Sequence, residues 1–228
     1  MGLESGVMAA MQVMILVRSA SVTVTATDTE VVLAPRGRIE GQGNSVIVHG
    51  GSDKLDVEVP VGSDLVIATA SGAVRCCGSL GMVSVTSASG KVILERANQA
   101  EVRTASGSID IGEVLETIGV LTKGGSVTIA SARRVNATTV NGTITVSSTQ
   151  HAEVNTVSGR VKIATTGVPE VKIRAVSANI EVSVERGSRP AMGLVTVAGK
   201  VRCDCATGTE GDLTIKTVSG AITVIESD

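Results

Sequence analysis

The stretch TASGSIDIGEVLETIGVLTKGGSVTIASARRVNATTVNGTITV, residues 104–146, repeats itself before it ends. Thr104 opens TASGSI, Thr122 opens TKGGSV and Thr139 opens TVNGTI, three copies of one motif that continues outward in both directions. Aligned on the anchor position, nine copies fall on Gly72, Gly90, Gly107, Gly125, Gly142, Gly159, Ala178, Gly199 and Gly220, at spacings of 18, 17, 18, 17, 17, 19, 21 and 21 residues. So short and persistent a period indicates stacked supersecondary units rather than one globule.

The columns of this alignment turn the pattern into geometry. Two residues after the anchor stand Val74, Val92, Ile109, Val127, Ile144, Val161, Ile180, Val201 and Ile222; four after it stand Cys76, Leu94, Ile111, Ile129, Val146, Ile163, Val182, Cys203 and Val224. The residues between the two columns vary freely, from Arg75 and Asp110 to Thr145 and Glu181. Such period-two alternation is a strand with one buried face. A third apolar column five residues before the anchor, from Ile67 to Ile215, marks a second strand, and the Ser-Gly pair is the turn between them. Asn141-Gly142 alone would suit an antiparallel hairpin. Because equivalent positions carry the same residue class in every copy, each strand is expected to stack on its equivalent in the next copy, in parallel. The spacing leaves open whether one copy or two complete a coil.

Composition agrees with this all-β, single-domain parallel β-helix or solenoid of 17–21-residue repeats. The 228 residues include 26 glycines and no Phe, Trp or Tyr. A ring in one coil would overpack it or leave voids beside its neighbours, whereas a uniform Val/Ile filling avoids both. Each buried Val or Ile contributes about 1.5–3 kcal/mol. The Thr column at Thr69, Ser87, Thr104, Thr122, Thr139, Thr156, Thr196 and Thr217, with Ala175 as the exception, shares the inward parity, and its hydroxyls are expected to bond the turn backbone. Residues 67–228 form the regular solenoid. Residues 1–66 lack the anchor at regular spacing but contain strand-like SVTVT (21–25), SVIV (45–48) and LDVEVPV (55–61), expected to form irregular first coils that cap one end.

The recurring T-x-S-G-x-I/V-x-I/V unit, preceded by LDVEVPVGSDLVIATASG at residues 55–72, resembles the bacterial putative-adhesin family, a domain of unknown function with a toastrack-like β-solenoid. The resemblance spans residues 15–226. It implies a shape similar to pectin-lyase-type helices without their catalytic residues, and a role in adhesion or at the envelope. It carries no functional residue over, because the motif consists of turn and core positions.

The absent rings remove the surfaces on which sugars and unpaired bases stack. A net charge of -2 gives no basic footprint for nucleic acid. No apolar run is long enough to span a membrane as a helix. Residues 7–17 (VMAAMQVMILV) have the length of a signal-peptide core, but Glu4 precedes them without Lys or Arg, and a terminal capping element is expected there instead. Four cysteines in two close pairs, Cys76-Cys77 and Cys203-x-Cys205, do not form a secreted disulfide framework. A cytoplasmic location is expected, with export as the alternative.

No constellation for catalysis, cofactor or metal emerges. His49 and His151 stand alone and are expected on the surface; Cys76 and Cys203 share an inward column and are expected in the core; Asp110 and Glu181 occur singly on the outer column. A four-thiolate zinc site from the two cysteine pairs would require copies far apart in the stack to meet. The Gly turns are not phosphate loops, since none continues into GK[ST] or a helix. What remains is a non-enzymatic structural or interaction protein, with a surface adhesin for an unknown ligand as the alternative. After Ile222-Thr223-Val224-Ile225 only three residues follow, so Ile222, Val224 and Ile225 are expected at an open strand edge through which copies stack end to end into a homo-oligomer.

Overall fold

A computed structural model describes residues 11–51 and 53–227, and among them every regular element is a strand. In chain order these are β1 (Gln12–Leu16), β2 (Val22–Thr27), β3 (Arg38–Gln42), β4 (Ser45–His49), β5 (Leu55–Pro60), β6 (Asp64–Ser71), β7 (Val74–Ser89), β8 (Val92–Ser106), β9 (Ile109–Val184), β10 (Ala191–Ala198), β11 (Val201–Asp204), β12 (Asp212–Ser219) and β13 (Ile222–Glu226). β7, β8 and above all β9 run on around corners. Val74 of β7 pairs in parallel with Val92 of β8, which pairs with Ile109 of β9. Each strand thus meets its equivalent one copy away, so one copy completes one coil and the stacking is parallel, as the column pattern predicts.

The corner explains the glycine. Gly90, Gly107, Gly125, Gly142 and Gly159 all have φ between 118° and 155°, where a side chain is strained. They also sit directly on one another: a Cβ on Gly107 would lie 2.0 Å from the carbonyl oxygen of Gly90, and one on Gly125 would lie 1.9 Å from that of Gly107. The Thr column behaves as expected. Thr69 donates to the carbonyl of Ser71 (3.0 Å), Thr104 to that of Ser106 (3.1 Å) and Thr122 to that of Gly124 (2.9 Å), so these buried hydroxyls satisfy the turn they approach. The apolar columns merge into one core cluster that runs from Val13 to Val224.

The amino-terminal region contains two further copies that the sequence pattern conceals. Ile15, Val22 and Val24 occupy the three apolar columns around Ala20, and Val48, Leu55 and Val57 occupy them around Asp53. Neither corner residue is glycine. The chain also lays these copies down out of order. β1 lies between β4 and β6, and β2 lies between β5 and β7, so the copy written second is outermost in space. The expected terminal cap at residues 7–17 is therefore corrected where the structure describes it. Val13 and Ile15 belong to an interior strand and are 1% and 0% exposed, which is why the segment is so apolar; residues 7–10 lie outside the described residues. The cap itself is residues 31–42. β3 pairs antiparallel with β4, Leu33 exchanges two backbone hydrogen bonds with Glu58, and Val32 and Ala34 are buried against the outermost coil.

Candidate functional site

At the other end the order is reversed as well, and this relocates the open edge. β13 pairs with β9 on one side (Ile222↔Ile180, Val224↔Val182, Ile225↔Ser183) and with β11 on the other (Ile222↔Val201, Val224↔Cys203, Ile225↔Asp204). Ile222 and Val224 are fully buried and Ile225 is partly so. These three residues are not an edge: the copy written last sits second from the end, and the preceding copy, β10 with β11, lies outside it. The sequence did carry a trace of this. The last two spacings lengthen to 21 residues, the slack that lets the chain step past an empty level and return to fill it.

β10 pairs only with β12 and β11 only with β13, so among the described residues nothing pairs with the outer edge of either strand. Columns that are interior elsewhere are uncovered here. Val201 is 47% exposed, Cys203 is exposed and Leu194 is half-buried. Cys203 thus departs from its expected place in the core, because no further coil covers it, whereas Cys76 in the same column is fully buried between Val24 and Leu94. On the outer face of β10, Val195 and Val197 are exposed. Val197 ends a stripe that the sequence reading missed: the residue two before the anchor is an exposed valine at Val140, Val157, Val176, Val218 and Val197. The motif shows this only as a change from TASG in early copies to TVSG in late ones.

The other residues singled out in the sequence do not converge. His49 lies 3.9 Å from Glu40 on the β3–β4 hairpin. His151 Nδ1 is 3.0 Å from Glu170, whose carboxylate also accepts from Lys172 at 3.1 Å. The Lys172 hydrogen bond, with its charge and the contact to His151, holds Glu170 below the usual carboxylate range. His151 and Glu170 border an open groove of about 620 Å³ together with Gln150, Val168, Thr209 and Asp212. Asp110 and Glu181 are tied to lysines one coil away, Lys91 (2.6 Å) and Lys162 (2.8 Å). Burial pushes the Cys76 thiol up to about 12; burial, then the contact with Cys203, pushes Cys205 up to about 12. The two cysteine pairs sit on coils near opposite ends of the stack, so they share no site.

No curated protein matches the chain. Among solved structures, a putative cell adhesion protein from Clostridium sporogenes aligns over 96% of this chain and 93% of its own, at 8% identity and a TM-score of 0.25. The family comparison matches the pattern "Toastrack DUF4097" over residues 18–228, which takes in every repeat from the Ala20 corner to the last coil. The chain belongs to the Toastrack DUF4097 family.

Proposed function

We propose that this protein is a non-enzymatic interaction module that joins a second copy of itself end to end through the open coil of β10 and β11. One observation carries this reading: interior columns and two unpaired strand edges face solvent at one end, while the same columns at the other end are covered by residues 31–42. An exposed strand edge recruits another strand unless it is blunted. With one end capped, the joint pairs open end with open end. It is then two-fold symmetric, with β10 antiparallel to its equivalent, and closes at two copies instead of growing into a fibre. Leu194 and Val201 would regain the cover their columns have elsewhere. A leader cleaved after Ala20 would remove a strand paired on both sides, which favours retention of that segment in the folded protein; the location proposed for it is the cytoplasm.

Light scattering coupled to size exclusion, read by refractive index because the chain lacks Trp and Tyr, tests the proposal. A dimer across a concentration series is expected, and Val201→Lys is expected to give a monomer with an unchanged circular dichroism spectrum, since the lysine reaches water at the free end but would be buried unpaired in the joint. A strict monomer for the unaltered chain, or a ladder of higher oligomers, overturns it. Fractionation of cells tests the location.

A further inference from the structure

Three sulfur atoms meet on the open coil. Cys203 of β11 and Cys205 just past its end are two residues apart, with Sγ atoms 3.4 Å apart. Met192, reaching in from β10 on the other side of the coil, places its Sδ 3.4 Å from Cys203 Sγ. Met192 and Cys205 pack against the end of the core, while Cys203 is open to solvent, so the cluster has a wall behind it and access in front. Asp204, between the two cysteines, is taken by Arg202 at 2.6 Å and points to the other face.

We propose that Met192, Cys203 and Cys205 form a three-sulfur site for a soft monovalent cation, Cu(I). Metal–sulfur bonds of about 2.3 Å in a trigonal plane put the sulfurs about 4 Å apart, so side chains already 3.4 Å apart need to spread by only about half an ångström. Two thiols and a thioether are soft donors, and the thioether discriminates against harder divalent ions. Zinc would want a fourth N, O or S ligand, and among the described residues no group of three or more His, Cys, Asp or Glu is placed to hold a metal. On binding, each cysteine gives up its proton and forms a sulfur–copper bond while Met192 donates a lone pair. One Cu(I) enters, two protons leave, and no electron is transferred. The ligands come from one chain, so the site does not depend on the joint proposed above.

The test uses the full chain, reduced and free of oxygen, competing for Cu(I) with bicinchoninate. One Cu(I) per chain is expected, also in the Val201→Lys variant, with X-ray absorption showing three sulfur neighbours. Cys203→Ser and Cys205→Ser should each abolish this binding, Met192→Leu should weaken it at least tenfold, and Cys77→Ser should leave it unchanged. All four positions are partly or fully exposed, and circular dichroism confirms folding. Binding that survives Cys203→Ser/Cys205→Ser, binding lost with Cys77→Ser, affinity unaltered by Met192→Leu, or Zn(II) held as tightly as Cu(I) would each overturn the proposal. Cys203 and Cys205 found joined in a disulfide under these reducing conditions would overturn it too.

Discussion

The two ends of the solenoid are built from the same columns and differ in what covers them. At the amino-terminal end Val48, Leu55 and Val57 are at most 1% exposed; at the other end their equivalents Leu194, Val201 and Cys203 lie open or half-open. The difference is not in the repeat but in the segment laid over it. Residues 31–42 depart from the repeat to cover the first end: a Cβ on Gly37 would come within 2.9 Å of Val48 and 3.1 Å of Leu55, so the backbone there lies directly on the end of the core. Both ends share another device, in that the segment nearest the terminus is held second in the stack with neighbours on both sides. An end strand paired once frays, and a strand paired twice does not. An apolar column in a solenoid is therefore a core only where the next coil exists, and the end coils decide whether the fold stops or seeks a partner.

The largest contrast should come from the glycine ladder. Gly125→Ala places a methyl 1.9 Å from the Gly107 carbonyl oxygen at a φ of 118°, with a further coil behind it, so neither backbone can retreat. A loss of about 4 kcal/mol or more is expected in denaturant unfolding followed by circular dichroism. Gly199→Ala meets the Gly220 carbonyl at 2.0 Å, but it lies on the open coil and outside the left-handed region, so the end can shift outward. Its expected cost is about 1–2 kcal/mol. Equal losses would mean that the open end is as tightly held as the middle.

Next comes truncation of one column position at both ends. Leu55→Ala removes a side chain 1% exposed under the cap and should cost about 2–5 kcal/mol. Val201→Ala removes its equivalent, 47% exposed, and should cost about 1 kcal/mol or less when measured at concentrations where the chain is monomeric. If Val201→Ala proves as damaging as Leu55→Ala in the monomer, then something within the chain covers that end.

What could be read from the sequence divides along the same line. The coil, its parallel stacking and the hydroxyl column are visible because they recur, and recurrence makes a weak single-copy signal strong. The order of the end coils is not visible, because Ile222 and Val224 obey the same pattern whether they have one neighbour or two; only the 21-residue spacings hint at it. The Ala20 and Asp53 copies stayed hidden because their corners avoid positive φ and so need no glycine. The sulfur cluster eluded the pattern for another reason: Met192 lies on another strand, 11 residues before Cys203, and only the closed coil brings it to the cysteines.

The smallest expected effect concerns two carboxylates, Asp56 on the capped coil and Glu170 near the open one. Both are held below their ordinary values of 3.8 and 4.5, Asp56 mainly by a hydrogen bond from Lys54 and Glu170 mainly by one from Lys172. A depressed carboxylate contributes stability that is complete above its unfolded value and is lost as the pH falls through the lower folded value. Asp56→Asn and Glu170→Gln should therefore lower the melting temperature at pH 7, and the deficit should close on acidification below 3.8 and 4.5, respectively. The two should not be equal. Asp56 takes its ion pair from Lys54, two residues before it on the same coil, with Thr23 of the next coil a lesser contact, whereas Glu170 also pairs with His151 one coil away and so ties two coils together more firmly. Exposed pairs of this kind are weak, and the Glu170 shift is expected at about 2 °C or less, with Asp56 smaller still. A larger deficit for Asp56→Asn would show that the capped coil depends on its surface charges, and that residues 31–42 hold it less firmly than their packing on Val48 and Leu55 implies.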